Sequence, residues 1–199
     1  MKHLFEAGKP GHRTLVLFHG TGGKERDLIP VAKLLDGEAS ILALRGEVSE
    51  NGMLRFFRRL AEGVFDEADV MARAQDIKAF LEEAVASYGL DPSQLTAVGY
   101  SNGANMAAAM TLLHGPVFAE AVLFAPMVPL KDTPEIPLKG MPIFLGAGTN
   151  DPIVVPENTR ALEELLRRRG AAVKTYWHGE GHRLTREEVL AAQSFLQTP

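Results

Sequence analysis

The run Gly99-Tyr100-Ser101-Asn102-Gly103 sets a serine between two glycines, each two positions away. It follows the strand-forming run Leu95 to Gly99 directly and opens a helix-forming stretch, which is the context a G-x-S-x-G nucleophile elbow requires. A sharp strand-to-helix turn brings neighbouring backbones so close that no side chain fits at either flank, so the glycines have a mechanical purpose. Small residues then continue along the helix at Ala104, Ala107 and Ala108, which permits close packing on a sheet. The competing reading is a glycine-rich turn with a helix-capping serine.

A serine hydroxyl is a weak nucleophile unless a base removes its proton as it attacks. The chain offers 6 histidines. His3 and His12 precede the core and His114 ends a helix, so none of the three is well placed. His19 stands in His-Gly right after a strand, where a histidine more often braces a loop. His182, in Gly179-Glu180-Gly181-His182, lies between the last strand and the last helix, at the edge from which the serine emerges.

In hydrolases built this way the chain order is Ser, Asp or Glu, then His, so the third member lies between Ser101 and His182. Asp151, in Gly148-Thr149-Asn150-Asp151-Pro152, follows the strand Pro142 to Leu145 and is placed to hold the imidazole tautomer. Asp132, in an exposed turn flanked by Pro129 and Pro134, is its rival. An Asx turn before proline is the bland account of Asp151.

An oxyanion needs two backbone donors. The Asn102 amide, at the start of the elbow helix, is one. The other comes from His19-Gly20-Thr21-Gly22-Gly23, preferably Thr21 N–H, with Gly22 as the alternative donor and as a residue beside the substrate. A phosphate-cradling reading of Gly20 to Lys24 fails the Walker spacing. His178 and His182 stand four apart, yet Gly179 and Gly181 between them argue against the helix that puts such a pair on one metal. Neither metal nor cofactor is expected.

These groups need a scaffold that brings strand ends together. Short apolar runs at Thr14 to Phe18, Ser40 to Leu44, Leu95 to Gly99, Glu120 to Phe124, Pro142 to Leu145 and Val173 to Trp177 alternate with helical stretches. Several are apolar almost throughout, as strands covered on both faces must be. Ile77, Leu81, Ala84, Val85 and Tyr88 share one helical face, and Gly89 supplies a left-handed stop. Leu162, Leu165 and Leu166 repeat that face after Pro156, and Arg167 to Arg169 before Gly170 read as cations complementing a helix dipole. Thr185-Arg186-Glu187-Glu188 has capping-box spacing. The class is α/β: one domain over residues 1–199, a mostly parallel sheet with helices on both faces, and a site beyond the carboxyl ends of the strands.

Composition narrows the function. With 199 residues and no cysteine, the chain builds a core without disulfides, and thiolate chemistry is excluded. The net charge of −4 and the lack of a basic tract argue against nucleic acid as a partner. The opening MKHLFEAGKPGHR is polar, without an apolar stretch for a signal peptide or membrane anchor, which reads as cytoplasmic.

These residues resemble the α/β-hydrolase fold and, within it, the phospholipase/carboxylesterase family of acyl-protein thioesterases and small bacterial carboxylesterases. The resemblance covers nearly the whole chain: His19 to Gly23, Arg45-Gly46 through Glu50-Asn51-Gly52 to Arg55-Phe56-Phe57, Gly99 to Asn105, Gly148 to Val154, and Gly181-His182. The second and third pieces look most like a branch linked to bacterial responses to quinones or metals. The resemblance implies a triad of Ser101, Asp151 and His182, oxyanion amides at Thr21 and Asn102, and a possible homodimer. Thioesterase members usually carry Gln after the nucleophile where this chain has Asn102, so their protein-lipid substrate does not transfer.

No long insertion leaves room for a lid domain, so the cleft is expected to be open. Asn51, Gly52 and Phe56 are expected to form one wall, with Arg55 facing a substrate carboxylate or pairing with a local acid such as Glu50. The alternative is an amphipathic helical turn with Phe57 in the core and the arginines solvated. Met127 and Val128 are candidates for the acyl side, or ordinary loop packing. The expected activity is hydrolysis of small carboxylic esters through an acyl-enzyme. A thioesterase or lysophospholipase, which needs a continuous apolar groove, and a ligand receptor on a hydrolase fold are the alternatives.

Overall fold

The computed structural model describes residues 1–197. Its centre is a seven-stranded sheet in the order β1-β3-β2-β8-β9-β10-β11. The strands are β1 (His3–Glu6), β2 (Thr14–Phe18), β3 (Ser40–Leu44), β8 (Leu95–Tyr100), β9 (Glu120–Phe124), β10 (Pro142–Gly148) and β11 (Ala172–His178). All pairings are parallel except β1 with β3. Between β3 and β8 the chain forms two small hairpins, β4 (Val48–Glu50) with β5 (Met53–Arg55) and β6 (Arg59–Ala61) with β7 (Val64–Phe65). The helices are α1 (Ile29–Leu35), α2 (Glu67–Tyr88), α3 (Asn102–His114), α4 (Pro156–Arg168) and α5 (Arg186–Leu196). The mostly parallel sheet is the one expected from the alternation of strands and helices, and the architecture is that of the α/β-hydrolase fold the resemblance implies.

Alternation along the strands sorts the core into two layers. Val16 and Phe18 of β2 face one side, packed with the buried residues of α2, α3 and α4. Leu15 and Leu17 face the other, with those of α1 and α5. Covering both faces explains why every residue of β2 is buried.

Local signals account for the helix ends. Asp66 caps α2 by accepting from Asp69 N–H, and Gly89 closes it at φ 63°. The capping box of α5 is complete, with Thr185 and Glu188 each satisfying the other's backbone amide. Arg167 and Arg168 pair with Glu163 and Glu164 one turn back, whereas Arg169 is buried and donates to Leu112 O and to Thr133.

Two sequence expectations change. Strand β10 runs on through Gly146-Ala147-Gly148, paired with Tyr176 to His178, although the glycines read as punctuation. They are glycine for lack of space: a Cβ would stand 2.0 Å from Glu188 Oε1 at Gly146 and 2.1 Å from Gly181 O at Gly148. The stretch Glu50 to Phe65, expected as loop or helical turn, contains most of the two hairpins, with Asn51 (φ 52°) and Gly52 (φ 81°) making the tight turn of the first.

Candidate active site

Ser101 follows β8 and has φ 52°, a left-handed conformation that exposes its side chain at the strand end. The flanking glycines are required by contact. A Cβ on Gly99 would lie 2.6 Å from Ala104 Cα, and one on Gly103 would lie 2.1 Å from Phe18 O.

The loops after β10 and β11 bring two more side chains to the serine. His182 Nε2 stands 2.9 Å from Ser101 Oγ, and His182 Nδ1 stands 2.6 Å from Asp151 Oδ2. The other Asp151 oxygen accepts from Ile153 N–H at 2.8 Å and Val154 N–H at 2.9 Å. An acceptor-only carboxylate on Nδ1 fixes the proton there and leaves Nε2 free to accept the serine proton. The Asp151 side chain is 1% exposed and that of His182 17%, so the row is reached from the His and Ser end. Asp132 lies exposed and takes no part in this row.

The histidine loop is held from beneath. Tyr100 O–H donates to His182 O at 2.6 Å. Burial, then the charges of Asp151 and Glu188, raise the Tyr100 phenol above its usual value, so it stays a donor. His178 is directed elsewhere: Glu180 N–H donates to its Nδ1, and its Nε2 lies 3.4 Å from Glu188 Oε1. The pair four residues apart therefore diverges, and among the described residues no group of three or more His, Asp or Glu is arranged to hold a metal ion.

The loop after β2 leaves the Thr21 amide without a partner among the described residues. Gly22 N–H donates to Leu54 O at 2.8 Å and Gly23 N–H to Gly20 O at 3.0 Å, which leaves Thr21 N–H available. Gly22 as the alternative oxyanion donor is thereby corrected, because its proton is committed to the β5 backbone. His19 braces this loop: Gly46 N–H donates to Nε2, so Nδ1 carries the proton and donates to Gly20 O. Burial is the main cause that holds its imidazole below the usual value, in keeping with a neutral ring. Asn102, first residue of α3, has a backbone amide with no preceding helical carbonyl to bond.

Above Ser101 lies a pocket of about 380 Å³ whose wall includes Thr21, Arg55, Asn102, Met127 and His182. Arg55 and Met127 are thus at the position expected of them. Asn51, Gly52 and Phe56 are not. Asn51 and Gly52 sit exposed at the tip of the first hairpin, outside the pocket wall. Phe56 is 2% exposed and packs on Phe18 and His19, with its N–H donating to Asn102 Oδ1. Arg55 ends β5 and reaches the pocket, whereas Phe56, just past the strand, turns into the core beside Phe18. Gly22 lines a neighbouring depression instead. Val128 lies in an adjacent groove.

Sequence reasoning did not single out several wall residues. Tyr100 and Asn105 belong to the elbow itself, and Asn105 Oδ1 holds Met127 N–H at 2.8 Å. Ile153 and Val154 follow Asp151 and cover its carboxylate. Arg59 and Phe65 come from the second hairpin, and only proximity to Arg55 in the sequence hinted at the first of them.

Residues 56–199 match the model of a family described as phospholipase/carboxylesterase. A putative hydrolase of Bacillus subtilis, MhqD, is 42% identical over 197 residues, covering 99% of this chain and 98% of that one. The crystal structure of a Bacillus cereus carboxylesterase superposes with a TM-score of 0.95 at 47% identity, covering 98% of this chain and 92% of that one. A carboxylesterase from Mesorhizobium loti gives 0.91 at 31% identity, with coverages of 96% and 91%.

Proposed function

The chain belongs to the phospholipase/carboxylesterase family and is a hydrolase, and from that premise we propose that it cleaves small carboxylic esters through an acyl-enzyme on Ser101. The observation that carries the reading is the hydrogen-bonded row Ser101–His182–Asp151 at 2.9 and 2.6 Å, opening into a pocket of about 380 Å³.

Ser101 Oγ attacks the ester carbonyl while His182 Nε2 takes its proton, and Asp151 holds the resulting imidazolium by accepting from Nδ1–H. The amides of Thr21 and Asn102 donate to the oxyanion of the tetrahedral intermediate. His182 then returns the proton to the departing alkoxide, leaving Ser101 acylated. Water, deprotonated by the same nitrogen, attacks the acyl carbon, and collapse of the second intermediate restores the serine hydroxyl.

One observation favours a second reading, cleavage of longer acyl chains. A groove lined by Leu60, Val64, Phe65, Val128, Pro129 and Leu130 shares Gly63 and Phe65 with the wall of the pocket. Hydrolysis of a p-nitrophenyl ester series from acetate to laurate separates the two. The small-ester reading expects a maximum at acetate or butyrate that Ser101→Ala abolishes. A maximum at long chains moves the assignment to a thioesterase or lysophospholipase. Turnover of no ester by Ser101 sinks the esterase reading and brings forward a ligand receptor.

A further inference from the structure

Two guanidinium groups in the pocket wall have no work in the hydrolysis of a neutral ester. Arg55 is 3% exposed, yet it lines the pocket. A buried cation is costly unless it is paired, so its partners are informative. Nε lies 3.1 Å from Phe57 O and 3.3 Å from Glu50 Oε2, and Nη1 donates to Thr21 Oγ1 at 2.7 Å. Nη2 has no protein partner among the described residues. Arg59, in the same wall, directs Nε at both Glu50 oxygens, 2.8 and 3.1 Å away. Its two terminal nitrogens are likewise without a partner among the described residues.

Glu50 is therefore one carboxylate shared between two guanidinium groups, and it is not itself part of the pocket wall, which presents both arginines. The carboxylate that does line the pocket, Glu62, is exposed between β6 and β7, where water and salt screen it. Asp151 is occupied by His182 and two amides. Burial, then the Arg59 charge, pulls the Arg55 guanidinium below its usual value against the opposing pull of Glu50. A second carboxylate arriving in the pocket relieves both penalties. It also arrives beside the carbonyl, because Arg55 is bonded to Thr21, whose amide is the proposed oxyanion donor.

We propose that the substrate is a monoester of a short dicarboxylic acid, its free carboxylate held by the terminal nitrogens of Arg55 and Arg59. Charge-assisted guanidinium–carboxylate bonds fix both position and orientation, which a pocket of this size can use to align one carbonyl on Ser101. The alcohol part then meets the apolar side chains of Phe65, Met127 and Ile153. This inference rests on the hydrolase reading of Ser101 given above.

The test compares ethyl hydrogen succinate with ethyl valerate, a neutral ester of similar length, by proton release at 50 and 500 mM NaCl. The expected result is a kcat/KM about 10-fold or more higher for the anionic ester. That preference shrinks at the higher salt and falls about 10-fold in Arg59→Gln. Equal rates on the two esters, or a preference that Arg59→Gln leaves intact, make the arginines structural and overturn the proposal. Calorimetric binding of ethyl hydrogen succinate to Ser101→Ala, with and without Arg59→Gln, decides the subsite even if no ester is turned over. Binding weakened about 10-fold by the arginine substitution supports it. Absent or unaltered binding defeats it, while loss of Ser101-dependent turnover alone defeats only the hydrolase reading.

Discussion

Phe56 N–H donates to Asn102 Oδ1 at 2.7 Å, and this bond ties the segment after the β4–β5 hairpin to α3, the helix that follows Ser101. The two preceding residues grip the loop after β2, Leu54 through Gly22 N–H and Arg55 through Thr21 Oγ1. Three consecutive residues thus hold both segments that carry the proposed oxyanion amides. A tight hairpin turn at Asn51-Gly52 keeps that strand in register. The hairpin, which has no part in the central sheet, is in this way built into the sheet edge that carries Ser101 and His182.

Asn102→Ala removes the acceptor and leaves the Phe56 amide buried without a partner. The Asn102 Nδ2 atom has no partner in the parent, so nothing is lost there. The expected cost is about 1–3 kcal/mol of stability in urea denaturation. The backbone amide of residue 102 survives but is no longer held, so kcat should fall about 10-fold with KM little changed. A KM effect without a kcat effect would argue against the oxyanion assignment.

Asp151→Asn keeps the volume of the side chain and reverses the tautomer. An asparagine oxygen can serve Ile153 N–H and Val154 N–H as Oδ1 now does, which turns the NH2 group toward His182. Nδ1 must then accept, the ring proton moves to Nε2, and the base facing Ser101 is lost. Ester hydrolysis should drop by roughly 10³–10⁴-fold. Circular dichroism should remain that of the parent. An activity loss below about 10-fold would mean that another group orients the imidazole.

Gly103→Ala tests the elbow as a steric device. The new Cβ meets backbone atoms, Phe18 O at 2.1 Å and His19 O at 2.5 Å, and neither can swing aside as a side chain would. A loss of at least about 3 kcal/mol, or failure to fold, is expected. Gly37→Ala is the control, since its nearest neighbour is Lys33 O at 3.5 Å and its φ is ordinary. It should change stability by less than about 1 kcal/mol.

The legible parts of this chain are those where one physical requirement dominates. Strands β2, β3 and β9 match the expected limits to the residue, because a strand covered on both faces is written as an unbroken apolar run. β1 was not expected: His3 to Glu6 is an edge strand whose residues are all half-buried, so no hydrophobic contrast marks it. The β4–β5 hairpin is short and held by its turn more than by its pattern. Asn51-Gly52 reads as a turn and is one, but it stands at the hairpin tip and presents Arg55 instead of walling the cleft itself. Ser101, Asp151 and His182 could be named because the order of strand ends orders the residues. The pocket wall could not, because it depends on which face of a three-residue strand meets the cavity.

Glu188 offers a pH-dependent test of the frame beneath the histidine loop. Its side chain is 2% exposed, with Oε2 accepting from Thr185 N–H at 3.3 Å and Oε1 3.4 Å from His178 Nε2. Burial raises its carboxyl from 4.5 to about 7, with the Thr185 amide opposing. Between those values the folded protein keeps a proton that the unfolded chain has released. Stability from this group therefore falls as pH rises from 4.5 toward 7 and levels off above it. Glu188→Gln retains an oxygen for the cap and removes the charge. It should match the parent near pH 5 and exceed it at pH 8, on the order of 1–3 kcal/mol. His178, held below its usual value mainly by burial, titrates in both proteins. Urea unfolding of the pair at the two pH values reads the difference. Equal stability at pH 8 would mean that His178 N–H and the Thr185 amide fully compensate the buried charge, and that the carboxylate is ionised throughout the neutral range.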